Sequence, residues 1–201
     1  MNLLTLYRKL RNRFYEAVVF PIQPIWLRHI GVECAPGVRL FGFPIINKCE
    51  GSVIKIGSNF TACAKPQFNT IGVIQPVVIT TTSPESRLVI GNHVGVSGCS
   101  IACQQSIGIG NRVSLGSGVL IMDNDAHSLN PEERFAGIPN IRSSPVILEE
   151  DVWVGARSII LKGTKIGSRT IVRAGSVVFG EFPPDCIIGG NPATVISAKK
   201  S

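Results

Sequence analysis

Residues 148–179 read LEEDVW VGARSI ILKGTK IGSRTI VRAGSV VF when broken into sixes. Leu148, Val154, Ile160, Ile166, Val172 and Val178 recur at every sixth position. Val152, Ser158, Thr164, Thr170 and Ser176 follow the first five at a constant offset, and all are small or β-branched. A period of six suits neither an amphipathic helix nor an alternating strand. It suits short strands that turn a corner every six residues, with one aliphatic per face directed inward and small residues at the corners. Stacked coils then bury a continuous aliphatic column that no coil could bury alone. Glycine and β-branched residues dominate the run, which argues against helix.

The rhythm extends upstream. Ile109-Gly110, Leu115-Gly116 and Ile121 continue it, as do Ile90-Gly91 and Val96, with a phase slip of one residue inside SGCSIACQQSIG. Ile56-Gly57 opens a weaker copy. Composition agrees with many small strands: 44% of the 201 residues are hydrophobic, only 6% are aromatic, and 21 are glycine. There is no apolar run long enough for a spanning helix, and MNLLTLYRKLRNRF does not have the form of a secretion signal. The six cysteines form no CxxC and no zinc-spaced cluster. They read as reduced, buried, small hydrophobes of a cytosolic protein. A net charge of +7 favours anionic partners, but no basic stretch interleaved with aromatics points to nucleic acid.

After Ile121 the rhythm stops until Leu148. The intervening segment is polar and contains three prolines, and it begins with DNDAH at 123–127. It reads as a loop, residues 122–147, thrown out from one corner. A rigid coil beneath it would fix the position of His127. Neutral imidazole suits removal of a hydroxyl proton near pH 7. A carboxylate on the other ring nitrogen would set its tautomer. Asp125 and Asp123 are the local candidates, and spacing does not choose between them; both also suit turns.

DNDAH at 123–127, VWVGARSIILKGTKIG at 152–167, VRAGSVV at 172–178 and IIGGNPATVI at 187–196 together resemble the hexapeptide-repeat acyltransferases. The nearest branch is that of the maltose, galactoside and surface-polysaccharide O-acetyltransferases. The resemblance covers roughly residues 88–197. It implies an all-β solenoid, a left-handed parallel β-helix, with an N-terminal amphipathic helix and a protruding active-site loop. It implies an acetyl-CoA-dependent acetyl transfer to a saccharide hydroxyl in surface polysaccharide biosynthesis, with His127 as general base and no metal. It puts Trp153, Gly155, Ala156, Ala174 and Gly175 by the acetyl-CoA groove, in a homotrimer whose active sites lie between prisms. Relatives follow AGSVV with Thr-Lys-Asp, whereas this chain has Phe179, Gly180 and Glu181, so the usual cation is missing; Lys162, Lys199 and Lys200 are candidate substitutes.

The expected organisation is a helical segment over residues 1–30, irregular first coils over 31–87, and the repeat over 88–198. Residues 3–19 carry Leu3, Leu6, Leu10, Phe14, Ala17 and Val18 near helical spacing, opposite Arg8, Lys9, Arg11 and Arg13, with Pro21 and Pro24 ending the segment. Such a helix is either a lid on the open solenoid end or a peripheral contact with the inner face of a membrane. His93 reads as a turn residue, and Ser97 is a weak acceptor-site candidate. The alternative activities are N-acetyl transfer to an amino sugar or nucleotide sugar, a zinc carbonic anhydrase, and a non-catalytic scaffold. His29, His93 and His127 are too scattered for the zinc enzyme.

Overall fold

A computed structural model describes residues 2–198. Three parallel sheets form a three-sided prism. In each, a strand pairs with the strand three further along the chain, so one coil is three strands. Sheet A runs from Glu33–Cys34 to Glu181–Phe182 through seven strands, and sheet C runs from Ile45–Asn47 to Val177–Val178 through six. Sheet B has eight, from Arg39–Phe41 to Cys186–Gly190 and then Ala193–Ala198, which folds back antiparallel.

The six predicted aliphatics from Leu148 to Val178 all lie inside, none more than 1% exposed. They stack on the same positions of earlier coils: Ile109 on Leu148 and Ile166, Leu115 on Val154 and Val172, Ile121 on Ile160 and Val178. Each such burial contributes about 2 kcal/mol against the unfolded chain. The buried corner hydroxyls are satisfied locally. Ser158 and Ser176 donate to the Arg173 carbonyl, and Thr170 donates to that of Pro183.

The phase slip has a geometric cause. Val96, Ile101 and Ile109 are in register with Val154, Ile160 and Ile166 through the intervening coil. Val96 to Ile101 is five residues where Val154 to Ile160 is six; Ile101 to Ile109 is eight where Ile160 to Ile166 is six. One corner, at Gly98, is tight. The next, at Gln104 and Gln105, is widened.

Residues 31–87 are more regular than expected. Sheets A, B and C all begin in this segment and pass into the later coils without a break. What hides the period is the length of the corners, chiefly residues 64–77 between Thr61–Cys63 and Val78–Thr81. The helix also outruns its sequence signal. Helix α1 (Leu3–Phe14) passes through a π-helical stretch, Tyr15–Val19, into α2 (Phe20–His29). Pro21 directly follows the π-helical stretch, where the helix already departs from the regular i to i−4 ladder, and Pro24 is accommodated inside α2.

The lid is α2, not the predicted segment. Leu27 and Gln23 are fully buried, and the Gln23 side-chain amide donates to the Leu40 carbonyl and accepts from the Leu40 N–H, both at 2.7 Å. Helix α1 has no buried residue. Near its C-terminal end Arg11 lies 4.2 Å over the Phe68 ring, and Tyr15 in the π-helical stretch that follows stacks on Phe41. No described helix is long and apolar enough to cross a membrane.

Candidate active site

The loop leaves sheet C after Leu120–Met122 and rejoins the prism in sheet A at Val146–Leu148. Its two legs are zipped together. Asn124 bridges Ser143, the Asp125 N–H donates to the Arg142 carbonyl at 3.1 Å, and the Ser144 N–H donates to the Asp123 carbonyl at 2.8 Å. Asn124 Oδ1 accepts from the Ala126 N–H, and Ala126 takes a φ of 61°. That turn presents His127 at the surface, with no side-chain hydrogen bond among the described residues.

Beyond His127 the loop ties itself. Helix α3 (Pro131–Phe135) is capped by Asn130. Glu133 accepts from Ser128 Oγ and from Asn140 Nδ2, and these bonds hold its carboxyl below the usual range. Arg134 donates to the Ser128 carbonyl. Leu129, Ile138 and Phe135 remain exposed, Phe135 at 96%. The outer part of the loop is thus held by its own hydrogen bonds.

Neither predicted carboxylate pairs with His127 in the chain. Asp123 is fully buried and occupied. Its Oδ1 accepts from the N–H of Gln104 (2.7 Å) and from Asn124 Nδ2, and its Oδ2 from the N–H groups of Gln105 and Ser106, both 2.8 Å. These amides belong to the widened corner, so Asp123 fills a gap the phase slip creates and bolts the loop to the coil beneath. Burial, joined by the Asp123 charge, pushes the Cys103 thiol up to about 12. Asp125 is held by Lys162 at 2.6 Å. That contact also removes Lys162 from the candidate cations. Lys199 and Lys200 lie outside the described residues.

Trp153 stands on the outer face of sheet B, between Ser114 and Ile171, and is 54% exposed. Ala174 and Gly175 are exposed at the corner joining sheets B and C, and Ala156 is half-buried there. Gly155 is buried for another reason. A Cβ on it would lie 2.5 Å from the backbone nitrogen of Ala174, so its smallness serves coil stacking. Arg157 and Arg173 flank this group, exposed and without a carboxylate partner among the described residues. Sequence reasoning missed both, though each sits beside a singled-out alanine.

The structure brings Trp153, Ala156, Ala174 and Gly175 to one side of the prism. It does not bring His127 to them. His127 leaves the corner between sheets C and A, and in a three-sided prism that corner lies opposite sheet B. His93 occupies a left-handed corner position, with φ 58°, in line with Asn59 and Arg112. Among the described residues no group of three His, Cys, Asp or Glu side chains could hold a metal.

The bacterial transferase hexapeptide (six repeats) family matches residues 145–180. WbbJ of Escherichia coli K12, named for a lipopolysaccharide biosynthesis O-acetyl transferase, is 30% identical over 165 residues, spanning 79% of this chain and 78% of WbbJ. A 2,3,4,5-tetrahydropyridine-2,6-dicarboxylate N-acetyltransferase of Staphylococcus aureus JH9 is 44% identical over 54 residues, 27% of this chain and 23% of that protein. Among solved structures, a mutant of AntD, an N-acyltransferase from Bacillus cereus in complex with dTDP and Coenzyme A, superposes with a TM-score of 0.63. The superposition covers 88% of this chain and 89% of that one at 19% identity, and it speaks to the fold. The prism is thus a left-handed β-helix, and the chain belongs to the bacterial hexapeptide-repeat acyltransferases.

Proposed function

We propose that the protein transfers an acetyl group from acetyl-CoA to a saccharide hydroxyl, with His127 as general base. The observation that carries this reading is the mounting of His127. It is an exposed imidazole with no side-chain partner, on a self-tied loop whose root is bolted by a buried carboxylate to a rigid coil. Direct transfer needs only such a base. The acceptor oxygen attacks the thioester carbonyl as its proton passes to the imidazole, and the tetrahedral intermediate expels CoA, whose sulfur then takes up that proton. Asp125 and Asp123 contribute by holding the loop root. The chain-length similarity to WbbJ supports an O-acetyl acceptor in surface polysaccharide assembly. The shorter similarity to an N-acetyltransferase favours the second reading, an amine acceptor at the same base.

Acetyl-CoA lies along Trp153, Ala156, Ala174 and Gly175 of one protomer in this reading, with Arg157 and Arg173 supplying cations for its phosphates. His127 then comes from a neighbour, because its own loop faces the other way. The outer face of sheet C, with Ile45, Val78, Ser100, Leu120, Ile159 and Val177 in one register column that is apolar at all positions but Ser100, suits packing about a threefold axis. The homotrimer is therefore part of the catalytic proposal. Helix α1, with its apolar residues uncovered and Arg8, Lys9, Arg11 and Arg13 beside them, is the segment suited to an anionic membrane surface.

The test uses His127→Ala and Trp153→Ala. His127→Ala should lower kcat by about 10²–10⁴-fold and leave acetyl-CoA affinity unchanged. Trp153→Ala should weaken acetyl-CoA binding. Co-expressing the two should restore part of the activity through mixed trimers. Unimpaired turnover by His127→Ala would remove the base, and no restoration in mixed trimers would remove the shared site.

A further inference from the structure

A groove of about 920 Å³ lies between α2 and the outer face of sheet B. One wall is helical, formed by Phe20, Pro21, Pro24 and Arg28, with Glu16 at its edge. The floor is a register column of sheet B, in which Arg39, Thr61, Gly95 and Ser114 occupy successive coils. The next residue in that column is Trp153. At the usual spacing of neighbouring strands, Arg39 and Ser114 are roughly 14 Å apart along the floor. His93 lines the corner side.

The charges in the groove are unevenly employed. Arg112 and Arg169, on the corner below, are held in two-pronged pairs with Asp151 and Asp185. Arg28 and Arg39 have no carboxylate within 4.0 Å among the described residues. Their recorded bonds are long ones, Arg28 to the Cys34 carbonyl at 3.5 Å and Arg39 to Thr61 Oγ1 at 3.3 Å. Two guanidiniums without a carboxylate partner, lining one groove, suit an anionic ligand such as a phosphate.

Gly95 adds an independent sign. Its backbone is ordinary, and a Cβ built on it would meet nothing within 4 Å. Coil stacking explains Gly155 but does not explain Gly95. What the missing side chain leaves is an open floor between Thr61 and Ser114.

We propose that this groove binds a glycosyl diphosphate, with the diphosphate on Arg28 and Arg39 and the sugar over Gly95 and Ser114, so that a sugar hydroxyl reaches the Trp153 end. The inference rests on the acetyltransferase reading only for which end of the groove holds the reacting hydroxyl. The same chemistry occurs on nucleotide carriers and on polyprenyl carriers, and the groove recognises the part they share.

Isothermal titration of the full-length protein tests this with inorganic pyrophosphate, UDP-glucose, farnesyl diphosphate and free glucose, beside acetyl-CoA on the same sample. Pyrophosphate and at least one of the two carriers should bind, and glucose should bind far more weakly. The tighter of UDP-glucose and farnesyl diphosphate indicates the carrier. Arg28→Gln and Arg39→Gln should each weaken diphosphate binding by at least about tenfold and leave acetyl-CoA binding unchanged. Gly95→Leu, at a position open to a side chain, should block UDP-glucose but spare pyrophosphate. The proposal is overturned if glucose binds as well as its diphosphate ester, if the arginine variants bind diphosphates like the unmodified protein, or if Gly95→Leu leaves UDP-glucose unaffected. Arginine-dependent diphosphate binding in a protein that ignores acetyl-CoA would keep the groove and sink the acetyltransferase reading. Acetyl-CoA binding without diphosphate binding would do the reverse.

Discussion

Replacing Asp123 separates a structural carboxylate from a catalytic one. In Asp123→Ala the N–H groups of Gln104, Gln105 and Ser106 lose a fully buried acceptor, at a corner that is itself only partly buried. An unsatisfied buried amide costs roughly 1–3 kcal/mol. Gln105 is exposed and Gln104 and Ser106 are half-buried, so water reaches part of the vacated space and the three losses amount to roughly 3 kcal/mol. Asp123→Asn keeps the shape but turns a donor toward an N–H, so a loss of about 2 kcal/mol is expected. The assay is urea denaturation followed by circular dichroism, at one fixed protein concentration because the proposed trimer would contribute to apparent stability. Against a total of about 5–15 kcal/mol, the alanine variant should show a large fall in midpoint. Any loss of turnover should track loss of folded protein. If Asp123→Ala unfolds within about 0.5 kcal/mol of the unmodified chain while kcat drops a hundredfold or more, the structural argument is wrong and Asp123 acts on His127.

Three further outcomes are expected. Glu133 is held below the usual carboxylate range by Ser128 and Asn140, so its contribution to loop order is complete above the ordinary value of about 4.3 and is lost as pH falls through the lower folded value. Hydrogen-exchange protection over residues 128–140, taken relative to the unstructured rate at each pH, should therefore fall in acid, and Glu133→Gln should bring that fall to neutral pH; a loop indifferent to both would refute the tie. Burial pushes the Cys99 and Cys103 thiols up to about 12, so native alkylation with iodoacetamide at pH 8 should mark the half-buried Cys34 and Cys49 and spare these two, as peptide mass spectrometry would read. Rapid labelling of Cys99 would mean the coil interior is open there. Vesicles rich in phosphatidylglycerol should sediment the protein, neutral phosphatidylcholine vesicles should not, and Leu6→Glu with Leu10→Glu should abolish the effect; equal sedimentation by all would remove the membrane role of α1.

The coil was legible in the sequence because its period belongs to no other regular structure. Each aliphatic from Leu148 to Val178 reports a strand, and all are buried. Residues 31–87 were less legible because strand positions persist while corner lengths vary, and a period is lost once a corner such as 64–77 intervenes. His127 could be singled out because polar residues interrupt an apolar rhythm. The fate of Asp123 could not be foreseen, since it depends on a corner of the preceding coil that is near in space and distant in order. Gly155 and Gly95 look alike as letters. One lies 2.5 Å from a neighbouring backbone once given a Cβ, and the other opens onto a groove, a distinction only coordinates make.

A stack of parallel coils is a template at both ends, since each terminal coil offers unpaired N–H and C=O groups to another molecule. Sheet B deals with this in two ways. At the α2 end the carboxamide of Gln23 sits where the next strand's peptide group would be. At the other end Ala193–Ala198 reverses direction, so what it presents is the wrong polarity for a further parallel rung. Head-to-tail growth into a fibre is thus blocked at either end of this sheet, once by a single side chain and once by a turn of the chain. The trimer proposed above would use the prism's flanks instead, which neither device obstructs.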